Sequence, residues 1–199
     1  MTPRAYRARR RPERTAATRD RIKAAVHALL AEGRFHDATV EEVADRAGVA
    51  RATIYQHFGS RLELVDAICE TFDANPALLE LRKLVELDDP DEALAKTIAS
   101  TIRFWSSEDA VLSQLYGVAA IDPAAQDLVD RQRADRRGEY ERLVRNLAGA
   151  GHLRVPERKA LTLLLVLSSY ETYRELRAAG LSDQQATTFL QETAREALL

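Results

Sequence analysis

The stretch TVEEVADRAGVARATIYQHFGSRLEL, residues 39–64, leaves the chain little freedom in how it folds. Thr39 precedes a periodic apolar run, and Glu42 stands three residues on, the spacing of a capping box. Val40, Val43, Ala44 and Ala47 then share one helical face. Gly48 breaks that helix, and Val49 is placed to turn inward and close the joint. A third helix is expected over 51–58, with Ile54 and Phe58 one turn apart as its buried anchors and Gly59 as its stop. Ser60 and Glu63 repeat the capping-box spacing and open a fourth helix with the stripe Leu62, Val65, Ile68, Cys69 and Phe72.

The third of these helices has almost nothing apolar to bury. Arg51, Ala52, Thr53, Tyr55, Gln56 and His57 are left on its free faces. A DNA major groove admits a helix, Arg pairs bidentately with guanine and Gln with adenine, and Ala or Thr can touch a thymine methyl. Tyr and His donors suit phosphates. The bland alternative is a helical corner inside an all-α protein, because two helices around a glycine turn are common.

Helical signals continue on both sides. Ile22, Ala25, Val26, Leu29 and Leu30 form one stripe over an expected first helix at 18–32, closed by Gly33. Beyond Pro76, helices are expected at about 77–87, 91–105, 109–118, 124–148, 157–179 and 183–198. No strand alternation and no internal repeat interrupts them. The expected fold class is therefore all-α.

The net charge of -2 hides an asymmetry. Residues 1–61 hold 13 basic and 7 acidic residues, a surplus of +6, leaving 16 basic and 24 acidic, or -8, for the remainder. A basic N-terminal part points to a polyanionic partner. Residues 1–16 read as a basic flexible arm, in which Arg9, Arg10, Arg11 and Arg14 are candidates to touch phosphates or a minor groove. Cys69 is the only cysteine, which fits a reducing compartment. The basic start lacks a following apolar run, and ALTLLLVLSSY is too short to cross a membrane. A cytoplasmic protein without membrane association is expected.

Enzyme chemistry finds no foothold. His27, His36, His57 and His152 are scattered, without metal-ligand spacing or a glycine-rich phosphate loop. No catalytic residue, metal ion or cofactor is expected.

The segment TVEEVADRAGVARATIYQHFGSRLELV resembles the DNA-binding signature of TetR (tetracycline-repressor-like) transcriptional regulators, through its A-G-V turn, T-I-Y-x-H-F and the basic residue after Ser60. The likeness covers residues 18–66. It implies an N-terminal three-helix helix-turn-helix domain at 17–62 and a C-terminal helical ligand-binding and dimerisation domain at 63–199. It also implies a homodimer that leaves its DNA when a small molecule binds. A double-stranded, roughly palindromic operator and a small-molecule effector are the implied partners. Carried over by position, Thr39 and Arg61 resemble phosphate contacts, Arg51, Ala52, Thr53 and Gln56 fall at base-facing positions, and Tyr55 and His57 match backbone contacts. Ala50 stands where a capping Ser is common and cannot accept the capping bond.

By the same likeness, the last two long helices pair with their copies. Leu161, Leu164, Leu165, Ser168, Thr172, Leu176, Leu190 and Leu198 are the expected dimer face. The expected effector wall is Phe104, Trp105, Leu112, Tyr116, Tyr170 and Tyr173. Gln132 and Arg136 join it because they interrupt the apolar stripe Ala125, Leu128, Val129, Tyr140, Leu143 and Leu147; buried there, they need polar partners. The competing expectation is a helical ligand-binding or interaction protein that keeps the fold without operator recognition.

Overall fold

The computed structural model describes the backbone of residues 3–84, 87 and 89–199, and the side chains of those from Thr15 onward. Among the described residues there are ten helices and no strand. They are α1 (Pro3–Ala31), α2 (Val40–Ala47), α3 (Arg51–His57), α4 (Arg61–Phe72), α5 (Pro76–Leu84), α6 (Pro90–Ala119), α7 (Pro123–Gly149), α8 (Glu157–Leu167), α9 (Tyr170–Ala178) and α10 (Asp183–Leu198). No described helix is long and apolar enough to cross a membrane.

The chain divides into two compact units. The first is Met1–Thr71 with Ala110–Leu128, and the second is Phe72–Asp109 with Val129–Leu199.

In the first unit the expected α1 stripe is the core: Ile22, Ala25, Val26, Leu29 and Leu30 are all buried. Full burial of each large aliphatic side chain contributes about 1.5–3 kcal/mol. α1 packs on α2, and α2 on α3. α1 starts at Pro3, so the expected flexible arm is helical in its backbone. Ala, Arg and Glu favour helix strongly, and Pro is tolerated at a first helical position. The side chains of Arg9, Arg10, Arg11 and Arg14 lie outside the described residues.

In the second unit three boundaries differ from expectation. α6 runs unbroken through the expected gap at 106–108. No Gly or Pro stands there, the Ser107 hydroxyl donates to the Phe104 carbonyl one turn back, and Ser106 donates to Asp183. The expected 157–179 helix is two helices. Ser169 has extended backbone and its Oγ accepts the Thr172 N–H at 3.0 Å, starting α9 afresh. α5 is described over Pro76–Leu84, and Leu87, its expected end, lies outside a helix. α10 starts at a full capping box between Ser182 and Gln185, and it packs on α8 and α9.

Candidate functional site

The geometry of α3 begins with its neighbours. Thr39 Oγ1 accepts the Glu42 N–H at 3.1 Å and starts α2. The reciprocal half of the expected capping box is absent, because the Glu42 carboxylate accepts from Arg34 at 2.8 Å and lies 3.6 Å from Arg46. Arg46 also grips Glu32 through both terminal nitrogens, at 2.6 and 2.7 Å, tying α2 to the residue after α1. That hydrogen bond holds the Glu32 carboxyl below its ordinary pKa. Gly48 adopts the left-handed conformation (φ 62°), and Val49 N–H returns to the Ala44 carbonyl at 3.0 Å. This closes the turn of the helix-turn-helix as a C-terminal cap.

α3 starts at Ala50 without a side-chain cap, as expected of alanine, and its first turn is held by Thr53 N–H on the Ala50 carbonyl at 2.8 Å. Ile54 is 1% exposed and Phe58 2%. The helix ends at His57, one residue before the expected end, and Phe58 is extended (φ -143°). Gly59 follows with an ordinary negative φ, and its N–H donates to Glu63 at 2.9 Å. The second capping box is thus shifted: Ser60 accepts from Glu63 N–H at 3.1 Å, while the Glu63 carboxylate reaches back to Gly59.

Two arginines position this unit, and the periodicity did not single out the first. Arg19 of α1 donates to the His57 carbonyl at 3.2 Å and lies 4.4 Å over the Phe58 ring, clamping the end of α3. Arg61 of α4 donates to the Ala38 carbonyl at 2.8 Å and lies 4.0 Å over the Phe35 ring. Burial holds its pKa below the ordinary arginine value. Arg61, expected at a phosphate, is exposed, and its guanidinium also steadies the residue that precedes the cap Thr39.

The remaining surface of α3 is polar and open. Arg51, Ala52, Tyr55 and Gln56 are exposed, Tyr55 by 50%, and Thr53 and His57 are half-buried. Arg51 pairs with Glu41 at 2.5 Å and reaches the Tyr55 hydroxyl at 3.4 Å. Thr39 is exposed too. A helix with two apolar anchors, clamped at its end and showing Arg, Gln, Tyr and Thr outward, has the shape and donors for a major groove.

Residues 22–68 match the family model for bacterial regulatory proteins of the tetR family. The segment is thus similar to a tetR-family helix-turn-helix. It is similar to the HTH-type transcriptional activator FasR of Mycolicibacterium smegmatis, 38% identical over 52 residues. That alignment takes in 26% of this chain and 24% of the activator, so the chain matches about a quarter of that relative's length. The fold extends further. A transcriptional regulator from Rhodococcus sp. Rha1 superposes with a TM-score of 0.72 at 21% identity, over 90% of this chain and 95% of that one. A SmeT–triclosan complex superposes with 0.72 at 21%, over 92% of each chain. The segment that matches the family model is thus followed by a helical part that shares the fold of these two structures.

The expected effector wall divides between the units. Phe104, Trp105, Tyr170 and Tyr173 are buried together in the second, as a run of rings with centroids 4.9 Å apart for Phe104–Trp105, 5.5 Å for Trp105–Tyr170 and 6.2 Å for Tyr170–Tyr173. Phe72 joins them at 5.5 Å from Phe104. Trp105 Nε1 donates to the Ser168 carbonyl at 3.1 Å, and the Tyr170 hydroxyl donates to Asp109 Oδ1 at 2.6 Å. Burial, and then Asp109, push the Tyr170 phenol well above its ordinary pKa. Arg136 and Gln132 are half-buried, with the Arg136 guanidinium 5.0 Å over the Trp105 ring. Leu112 and Tyr116 belong to the first unit. A separate cavity of about 570 Å³ is lined by Asn75, Glu80, Arg103, Ser106, Asp183 and Thr187 among others, none of them expected. Its charged side chains are engaged, Arg103 by Glu80 and Asp183 by the Ser106 hydroxyl.

The expected dimer face needs correction. Leu164, Ser168, Leu190 and Leu198 are fully buried within the chain itself, and Leu161 nearly so. They are core, because α10 covers that side of α8. Leu165, Thr172 and Leu176 are half-buried. The large apolar side chains left open on these helices are Val166, 59% exposed, and Phe189, 49% exposed.

Proposed function

We propose that the chain is a homodimeric, sequence-specific DNA-binding transcriptional regulator of the cytoplasm, a repressor that a small-molecule effector releases from a roughly palindromic operator. The observation that carries this reading is the outward face of α3: Arg51, Ala52, Tyr55 and Gln56 open to solvent on a helix anchored by Ile54 and Phe58. Gln56 and Arg51 read base edges, with Ala52 and Thr53 beside them; Thr39, Tyr55 and His57 hold phosphates. Arg61 supports Thr39. The DNA-reading part is residues 17–62, and 63–199 bind the effector and the second copy. The exposed Val166 and Phe189 supply the dimer contact. Two copies of α3 must then reach successive major grooves about 34–36 Å apart, which makes the operator a rough palindrome. The triclosan bound to SmeT supports an effector that is small and largely apolar.

The test is selection of duplexes from a random pool, followed by affinity measurements across salt concentrations. A regulator enriches one palindromic sequence and shows a steep log–log salt slope. Enrichment of nothing, with no salt-dependent binding, sinks the reading. Transcription from the selected site with and without the protein decides between repression and activation.

A further inference from the structure

α7 carries a row of arginines, and the environment of one of them differs from that of its paired neighbours. Arg133 pairs with Asp130 at 3.2 Å and Glu171 at 2.6 Å, Arg137 pairs with Glu141 at 2.9 Å, and Arg142 pairs with Glu139. Arg136 instead lies over the indole of Trp105. Its Nε is removed from solvent and has no hydrogen-bond partner among the described residues. The carboxylates that meet the ring cluster are already engaged, Asp109 by Tyr170 and Arg174, and Asp183 by Tyr173 and Ser106.

An unmade hydrogen bond on a donor removed from solvent costs roughly 1–3 kcal/mol. Among the described residues, Thr97 Oγ1 is the other buried side-chain polar atom without a partner, but its hydroxyl can rotate onto a carbonyl of its own helix, as Thr101 does onto Thr97. Arg136 has no such local remedy. Nε only donates, and the guanidinium lies over the indole, which offers Nε no oxygen acceptor. The Nε edge of a guanidinium, with one terminal N–H beside it, matches the two oxygens of a carboxylate. A single arginine among buried aromatics balances one negative charge; a phosphate dianion would remain underpaired and costly to desolvate.

We propose that the effector is an organic monocarboxylate with an apolar body, and that Arg136, stacked on Trp105, receives its carboxylate while Phe104 and Tyr170 face the body. This rests on the reading of the second unit as the effector-binding part.

Trp105 is the only tryptophan in the chain, so intrinsic fluorescence reports on the site directly. The full-length protein is titrated with decanoate and benzoate, and with the neutral analogues decanol and benzyl alcohol. The expected result is a saturable change with at least one carboxylate, bound about tenfold or more tightly than its alcohol. Arg136→Gln should abolish that preference, and Arg136→Lys, which keeps the charge but not the fork, should retain part of it. Equal binding of acid and alcohol overturns the proposal. So does the absence of any saturable change with either acid into the millimolar range, or an undiminished preference in a folded Arg136→Gln or Arg136→Lys protein. Duplex selection with the wild-type protein runs separately: its failure removes the regulator, while an acid preference at Trp105 would still stand.

Discussion

α3 and α8 are both short helices that begin without a side-chain cap, at Ala50 and at Pro156, and both leave one face uncovered. The uncovered faces are opposites. α3 shows Arg51, Tyr55 and Gln56 to solvent, whereas α8 shows Val166 beside half-buried Leu163, Leu165 and Leu167. A DNA groove is hydrated and lined with phosphates, so a partner face for it must be rich in donors. A second copy of the chain offers no such charge, and burial of apolar surface is what drives that contact. One device, a helix given too few partners inside its own chain, thus serves two different surfaces according to the side chains left outside.

The comparison breaks first at the anchors. If Ile54 and Phe58 alone seat α3, Ile54→Ala should destabilise the protein by about 2–5 kcal/mol and abolish operator binding with it. Denaturant unfolding checks this. A loss below 1 kcal/mol, roughly the size of a surface change, would mean that α3 is held from elsewhere.

The apolar face is tested by Val166→Glu together with Phe189→Glu. Both side chains are half or more exposed, so folding stability should barely change. The dimer should fall apart in light scattering, and operator affinity should drop about 100-fold or more, because two linked half-sites become independent. A double variant that stays dimeric puts the contact on another surface.

Gln56→Ala and Tyr55→Phe sharpen the polar side. If Gln56 reads a base edge, its loss costs about 1–3 kcal/mol and relaxes selectivity at one operator position. If the Tyr55 hydroxyl meets a phosphate, Tyr55→Phe weakens every duplex alike by about 1 kcal/mol. Affinities for the selected site and each single-base variant separate the two. A uniform loss for Gln56→Ala would move that residue to the backbone.

Legibility followed how many partners a residue could have. Ile54 and Phe58 were readable because they are the only large apolar side chains in a polar helix, one turn apart. Arg136 was readable because it interrupts an apolar stripe, although neither its stacking on Trp105 nor its unpartnered Nε has a sequence signature. The dimer face was misread for a physical reason. An apolar stripe shows that a side chain is covered, not by which copy, and Leu164, Leu190 and Leu198 are covered by their own chain. Helix ends failed where serine supplied the boundary signal. Ser169 caps a new helix with its hydroxyl, while Ser106 and Ser107 leave α6 whole, and no Gly or Pro distinguishes the two cases. Arg19 was missed because an arginine that serves a distant carbonyl and ring looks like any solvated arginine on a helix.

The smallest expected effect concerns what holds α10, and with it Phe189, in place. Asp91 at the start of α6 accepts from His152 at 2.8 Å and from Arg195 of α10 at 3.4 Å. The His152 bond, and then Arg195, hold its carboxyl below the ordinary aspartate pKa. A carboxyl whose folded pKa is depressed stabilises the native state at pH above its unfolded value, near 3.9. That contribution fades as pH falls through the lower folded value. Asp91→Asn should therefore be less stable than wild type at neutral pH and equal to it near pH 2. The pair is partly exposed, so the neutral-pH difference should stay within about 1 kcal/mol. Denaturant midpoints from pH 7 down to about 2 would show two curves that converge only below the aspartate range. Curves separated by a constant amount at every pH would mean that Asp91 acts through shape alone, and that its charge contributes nothing to holding α10.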